Sequence, residues 1–257
     1  MNHICRMVVT DLDDTFLRDD KTISSFTLST FNRLRQKGIK IAYATGRSRK
    51  SALRLVPEGF FDAEIAQNGA VAYIGDELIH HRYIKAVDSV RIMKLATEQN
   101  IKIVAETDNK VYTNTDISDT FSWIPHFEIV DSSFDDDSVE KIVYLFRDKS
   151  EIKPLTDKLP RTVYYEIGRD NFVQIMNNDA SKLSGIEALC RYYGFTTGEV
   201  VTFGDDTNDI SMIKGVGYGV VLENALPVVK EYANEVCESN QNDGIAKWLV
   251  KNVLGEV

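Results

Sequence analysis

The stretch Val8-Val9-Thr10-Asp11-Leu12-Asp13-Asp14-Thr15 carries a β-rich run straight into three carboxylates, Asp11, Asp13 and Asp14, and then a threonine. Like charges held this close destabilise a folded chain unless something positive compensates them. A second junction of the same kind, Val200-Val201-Thr202-Phe203-Gly204-Asp205-Asp206-Thr207-Asn208-Asp209, lies near the other end of the chain. Two strands ending in carboxylates can share one compensating ion only if they run parallel and finish on the same edge of a sheet.

The residues between these junctions fit that constraint. Cys5–Thr10 reads as a buried strand, and "FLRDDKTI" after the cluster as a small flap turning near Asp19-Asp20. Ser24 or Ser25 can cap a helix with Leu28, Phe31 and Leu34 at helical spacing, and Gly38 can close it. Ile39–Thr45 is the next strand, giving a βαβ unit and so a parallel sheet. Ligands gather beyond the carboxyl ends of such strands, where Asp11 and Thr45 both sit. "GRSRKSALRLV" reads as a following helix, and Gly75-Asp76 as a hairpin turn.

Beyond Arg82 the pattern changes to a helix near Val87–Gln99 and strand-like pieces "IKIVAE", "KVYTN", "KIVYLF", "TVYYEI" and "FVQIM". From Ser181 the first pattern returns, with a helix over Lys182–Tyr193 ending at Gly194, the strand "EVVTF", the short helix "ISMIKGVG" and the strand "YGVVL". The fold class is α/β: a Rossmann-like parallel-sheet core with an inserted α+β cap domain. The core is expected over residues 1–81 and 183–257, and the cap over 82–182. The Asp135–Asp137 run reads as a solvated loop, and Trp123, Phe127, Tyr164, Tyr165 and Phe172 as cap core.

Composition narrows the function. Of 257 residues, 30 are Lys or Arg and 39 are Asp or Glu, a net charge of -9, so nothing points to nucleic acid or an anionic membrane as partner. No apolar run approaches the roughly 18–20 residues that span a bilayer, and "MNHICRMVV" is too short for a signal peptide. Cys5, Cys190 and Cys237 are odd in number and widely spaced, which argues for reduced thiols in a cytoplasmic protein rather than disulfides or zinc. His3, His80, His81 and His126 show no metal-ligand spacing.

The two clusters together make an oxygen-rich site suited to Mg²⁺, which prefers carboxylates plus waters and leaves room for a substrate phosphate. Strand-end aspartates also cap helices and shape turns. The repetition at two strand ends, with Thr45-Gly46-Arg47 at a third, is what favours a site.

Four motifs in order, "DLDDT" at Asp11–Thr15, "ATGR" at Ala44–Arg47, Lys182 ahead of a helix and "GDDTND" at Gly204–Asp209, resemble those of the haloacid dehalogenase-like superfamily. The chain is most similar to its Cof-type phosphatases, which carry a large α/β (C2B-type) cap. "QNGA" at Gln67–Ala70 and "ENA" at Glu223–Ala225 also resemble family segments. The resemblance implies that Asp11 is the nucleophile and a Mg²⁺ ligand. It makes Asp13 the general acid and base, with its backbone carbonyl on the metal. Asp205 completes the metal ligands, and Asp209 ligates directly or through water. Thr45, Lys182, Asn208 and the Leu12 and Gly46 backbone would hold the phosphoryl oxygens.

Two positions depart from the pattern: Asp14 stands where glycine is frequent, and Lys182 is followed by Leu183 rather than glycine, with Gly185 displaced. Lys153 and Lys158 read as solvated cap lysines. Arg47 is open between reaching substrate or cap and pairing with surface carboxylates.

The implied activity is Mg²⁺-dependent hydrolysis of small phosphorylated metabolites, sugar phosphates above all, through an aspartyl-phosphate. A large cap would exclude phosphoproteins and water. Two other readings use the same ingredients: a phosphosugar mutase of the same superfamily, and a receiver-like module that holds a phosphoryl group on aspartate. Receivers are about half this length and lack an acid two residues beyond the nucleophile. Nothing in the sequence fixes the oligomeric state.

Overall fold

A computed structural model describes residues 5–107, 110–121, 124, 126–130, 138–146, 148–168 and 171–256. His3, Trp123 and Asp135–Asp137, all weighed above, lie outside the described residues. In chain order the first unit begins with β1 (Met7–Thr10), α1 (Ser25–Gln36), β2 (Lys40–Ala44), α2 (Arg49–Ala52), β3 (Ala63–Ala66), β4 (Val71–Ile74) and β5 (Glu77–His81). The second unit holds β6 (Ile84–Lys85), α3 (Ala86–Glu98), β7 (Ile103–Glu106), β8 (Val111–Thr113), β9 (Glu128–Ile129), β10 (Ser138–Val139) and β11 (Lys141–Leu145). It ends with α4 (Ile152–Thr156), β12 (Val163–Ile167) and β13 (Phe172–Asn177). The chain then returns to the first unit with α5 (Lys182–Tyr193), β14 (Val200–Gly204), α6 (Ile210–Gly215), β15 (Tyr218–Leu222), α7 (Pro227–Lys230), β16 (Glu235–Cys237) and α8 (Gly244–Leu249).

The first unit comprises Met1–His81 and Ser181–Val257, and the second Arg82–Ala180. The second junction falls before Ser181, not after Lys182 as the boundary 182/183 anticipated. Ser181 is the reason: its hydroxyl caps α5 by accepting from the Ser184 N–H, and the Ser184 side chain returns the bond to the Ser181 N–H.

The first unit is built on an eight-stranded sheet in the order β16-β15-β14-β1-β2-β3-β4-β5. Pairings from β16 through β3 are parallel, and β4 and β5 add an antiparallel edge. Alternation along the strands covers both faces with apolar layers, as a parallel sheet requires. Val8, Ile41, Tyr43 and Phe203 join Phe16, Phe31, Leu34 and Trp248 on one side. Met7, Val9, Ala42, Ala44 and Ile65 join Ile186, Leu189, Cys190 and Met212 on the other. β1 is followed in space by β2 on one side and by β14 on the other, so the connections diverge between β1 and β14. A crevice for ligands opens at such a switch point.

One detail departs from the sequence reading and another agrees with it. The helix after Arg47 is a single turn, Arg49–Ala52, capped by the Ser48 side chain. Gly75, with φ at 57°, makes the turn between β4 and β5, as its sequence position implied. All three cysteines are free, and burial pushes the thiols up, Cys5 and Cys237 to about 12 and Cys190 to about 11.

The second unit has a six-stranded sheet, β12-β13-β11-β7-β8-β9, antiparallel except for the β8–β9 pair, with a β10–β6 ladder beside it in sequence. Ile92, Met93 and Ala96 from α3 and Leu155 from α4 pack on Ile103, Ile142, Tyr144 and Ile175. Among the aromatics assigned to this core, Phe127 and Phe172 pack against Phe121 and Val143, and the Tyr164 hydroxyl donates to the Ala180 carbonyl at 2.8 Å. Tyr165 departs from that expectation: it sits on the edge strand β12 and is exposed. Lys153 and Lys158 are exposed as anticipated. Among the described residues, no helix is long and apolar enough to cross a membrane.

The displaced glycine of α5 has a packing role. A Cβ on Gly185 would lie 2.6 Å from Cγ2 of Ile65, a stiff β-branched side chain in β3. Gly185→Ala gains about 1 kcal/mol of helix propensity, yet overpacking a core commonly costs about 1–3 kcal/mol. The expected outcome is a net loss of stability in chemical denaturation; a stabilised variant would show that α5 can move off the sheet.

Candidate active site

The strand ends β14, β1 and β2 lie side by side, which brings Asp205, Asp11 and Thr45 to one edge of the sheet. The register is fixed there by the Asp11 N–H donating to the Phe203 carbonyl at 2.9 Å. Beyond β1 the chain folds into a tight turn over Leu12–Phe16, with the Phe16 and Leu17 N–H groups donating back to Asp11 and Leu12. Asp14 has φ at 55° in this turn. That left-handed backbone is why glycine is frequent at this position and why aspartate, which tolerates it, can replace it. Asn224, in the "ENA" segment, donates from Nδ2 to the Asp14 carbonyl at 2.8 Å and pins the turn from outside.

Carboxylate oxygens of Asp11, Asp205 and Asp209 lie within 4.8 Å of one another, and all three residues are buried. Lys182, the first residue of α5 and 1 % exposed, inserts its ammonium between them. Nζ is 2.6 Å from Asp11 Oδ1 and 2.6 Å from Asp209 Oδ1. The other Asp209 oxygen accepts the Asp205 and Asp206 N–H groups at 2.8 and 3.0 Å. Asp209 thus closes its own loop and holds the lysine in place. Gly204 leaves room for it: a Cβ there would meet the Asp209 carboxyl at 2.5 Å. Thr15 donates to Asp205 Oδ1 at 2.7 Å, tying the first acidic turn to the second. Asp206 caps the short turn Thr207–Asp209 through a 2.6 Å bond from the Thr207 N–H.

The charges explain the titration. Burial pushes the Asp11 carboxyl well above its usual range; Lys182 opposes this, while Asp209 and Asp205 add to it. For Lys182, burial favours the neutral amine, but Asp11 and Asp209 outweigh it and hold the ammonium above its ordinary value. The set holds three carboxyl groups and one ammonium, so acidic groups outnumber the basic one. Like charges 4.8 Å apart repel by roughly 3 kcal/mol per pair at an effective dielectric of about 20. An all-oxygen donor set with that acidic excess fits a divalent cation, and hard cations such as Mg²⁺ prefer carboxylate oxygens.

Asp13 stands apart. Its carboxylate accepts from Arg47 Nε at 2.6 Å and Nη2 at 2.8 Å, and lies 2.9 Å from Lys21 Nζ. Burial would raise its pKa, but the hydrogen bonds from Arg47 and Lys21 prevail and lower it. Arg47, open at the sequence level, is thereby placed: it pairs with this carboxylate. Protonation of Asp13 at the first catalytic step, which the sequence reading requires, is opposed by these ion pairs.

On the β2 side, Thr45 is 1 % exposed and its N–H donates to the Ile65 carbonyl at 2.9 Å. Its Oγ1 accepts the Arg47 N–H at 3.2 Å, which leaves the hydroxyl proton free to donate elsewhere. Asn208 donates from Nδ2 to Asn68 Oδ1 at 2.9 Å. The sequence-predicted residues Asp11, Leu12, Thr45, Gly46, Lys182, Asp205, Asn208 and Asp209 all stand on the loops beyond β14, β1 and β2 or at the start of α5. The sequence reading gave no role to Thr15, Asn224 or Asn68, although all three lie in segments it singled out.

A buried carboxylate at a topological switch point stands beside a lysine and two further carboxylates. The chain belongs to the haloacid dehalogenase-like hydrolase family, whose pattern matches residues 8–249. It is 26% identical over 258 residues to the 5-amino-6-(5-phospho-D-ribitylamino)uracil phosphatase YitU of Bacillus subtilis, covering 95% of this chain and 96% of the relative. Among solved structures it is similar to the phosphatase BT1666 of Bacteroides thetaiotaomicron, with TM-score 0.83, 26% identity and coverage of 97% and 96% of the two chains. The fold also matches the HAD subclass IIB sugar phosphatase BT4131, with TM-score 0.83, 22% identity and coverage of 96% and 98%.

Lys182→Met tests the buried charge balance. Removing one partner of a buried ion pair typically costs about 3–5 kcal/mol, and metal-free protein at neutral pH is expected to lose that order of stability. In the variant Asp11 is raised still further above its unfolded value. A raised carboxyl contributes most below its unfolded pKa and loses that contribution as pH rises through the folded one. The deficit against wild type is therefore expected to be largest at neutral pH and to shrink toward about pH 4. Denaturant titrations across that range would contradict the account if the deficit were absent or independent of pH.

Proposed function

We propose that this haloacid dehalogenase-like phosphatase hydrolyses small phosphorylated metabolites, sugar or polyol phosphates in particular, with Mg²⁺ and through a phosphoryl group held on Asp11. The supporting observation is the buried set of Asp11, Asp205 and Asp209 around Lys182, with Thr45 and Asn208 on the neighbouring loops. One relative above bears the name of a phosphatase for a 5-phospho-D-ribitylamino compound, which supports a small phosphorylated metabolite as the substrate class.

Asp11, Asp205, the Asp13 backbone carbonyl and Asp209, directly or through water, would hold the cation. When bound, it supplies positive charge to offset the meeting of a carboxylate with an anionic phosphate. Lys182, the Thr45 hydroxyl, Asn208 and the Leu12 and Gly46 N–H groups bind and orient the phosphoryl oxygens. Asp11 attacks phosphorus in line as the bond to the leaving oxygen breaks, and Asp13 gives that oxygen a proton. Asp13, now a carboxylate, takes a proton from water as the water oxygen attacks phosphorus and Asp11 is released.

The ion pairs of Asp13 with Arg47 and Lys21 suit the second half, where it acts as base. The first half requires those partners to release it, so its protonation is tied to a change of partners.

Phosphate release from sugar phosphates, nucleotides, flavin mononucleotide and pyridoxal phosphate, with Mg²⁺ and with chelator, tests the proposal. Sugar or polyol phosphates are expected to lead, and release is expected to vanish with chelator and in Asp11→Asn. Asp205→Asn is expected to need more Mg²⁺ for half-maximal rate. Release that persists in chelator or in Asp11→Asn would reject the mechanism, and no release from any compound would reject the function.

A further inference from the structure

The segment Gln67-Asn68-Gly69 begins directly after β3, on the same edge of the sheet as the acidic turns. Its three residues have φ of 49°, 55° and 90°, an uncommon run of left-handed backbone, two of it in non-glycine residues. Asparagine is among the few side chains that tolerate this geometry. Gln67 is 0% and Asn68 2% exposed, so the strain is held inside the protein.

It is bonded to the β2 loop and to the loop after β14. The Gln67 N–H donates to the Arg47 carbonyl at 2.8 Å, and the Asn68 N–H to the Thr45 carbonyl at 2.9 Å. Gly46 lies between those two carbonyls in sequence. The Asn68 side chain sits over it: a Cβ on Gly46 would be 2.9 Å from Asn68 Oδ1 and 3.6 Å from Asn208 Nδ2. The same Oδ1 accepts from Asn208 Nδ2 at 2.9 Å. A single carboxamide oxygen therefore stands against both Gly46 and Asn208, groups from two separate loops.

We infer that Asn68 is a positioning residue for phosphoryl binding, acting through Asn208. By accepting from one N–H of the Asn208 carboxamide, Asn68 fixes the rotation of that group and directs its second N–H. Without Asn68 the carboxamide could rotate or flip, presenting an oxygen where an anion needs a donor. The backbone N–H groups of Gln67 and Asn68 meanwhile hold the Thr45–Arg47 loop. The inference rests on the proposed role of Asn208 in holding phosphate.

The test separates the side chain from the backbone. Asn68→Gly removes the carboxamide, relieves the left-handed conformation and keeps both N–H bonds, so its thermal melt is expected to show a folded protein. Its affinity for inorganic phosphate with Mg²⁺, by calorimetry, is expected to fall about tenfold, about 1.4 kcal/mol or the order of one hydrogen bond. In kinetics kcat/KM is expected to fall by about 10- to 100-fold.

The decisive arm is the cycle with Asn208→Ala. If Asn68 acts through Asn208, the double variant binds phosphate no more weakly than Asn208→Ala alone. Losses that multiply, or an Asn68→Gly protein that binds phosphate like wild type, would overturn the inference. A coupled binding cycle in a protein that releases no phosphate would reject only the phosphatase reading. Normal turnover with an uncoupled cycle would reject only the role of Asn68. A wild type that does not bind phosphate would reject both.

Discussion

The site depends on one buried ammonium. Lys182 reaches Asp11 and Asp209 from the first turn of α5, and each contact is 2.6 Å. It offsets carboxylates that the sheet topology forces together, because β1 and β14 are parallel neighbours that both end in aspartate. It does not offset all of them. The oxygen-rich setting that remains suits the hard divalent cation proposed above.

Two aspartates separated by one residue occupy opposite electrostatic environments. Burial and its carboxylate neighbours push Asp11 up, while Arg47 and Lys21 bring Asp13 down. Environments that drive two carboxyls apart are how one fold assigns them different work. Catalysis asks for the reverse order at the first step, with Asp11 ionised and Asp13 protonated. Positive charge beside Asp11 favours the first condition, and release of Asp13 by its partners favours the second.

Much of this was legible in the sequence because it is local. The largely apolar run from Cys5 to Thr10 marks the strand that ends at Asp11, and the helix read over Lys182–Tyr193 and ended by Gly194 places Lys182 on its first turn. The chain's membership in the haloacid dehalogenase-like family agrees with the motifs at Asp11–Thr15 and Gly204–Asp209. What escaped was contact at long range. Thr15 reaches Asp205, Asn224 reaches Asp14 and Asn68 reaches Asn208, across separations of 190, 210 and 140 residues. No periodicity encodes such pairs. Gly204 illustrates the same limit: the Asp209 carboxyl, 2.5 Å from where its Cβ would stand, is what excludes a side chain. The pairing of Arg47 with Asp13 depended on side-chain direction, which spacing alone leaves open.

The most direct test of the central claim, that the lysine-balanced carboxylate of Asp11 takes the phosphoryl group, is to quench turnover in acid and map the peptides by mass. The account predicts a phosphoryl group on the peptide containing Asp11, accumulating further in Asp13→Asn, where water lacks its base. Steady turnover with no such adduct, or an adduct on another residue, would contradict it.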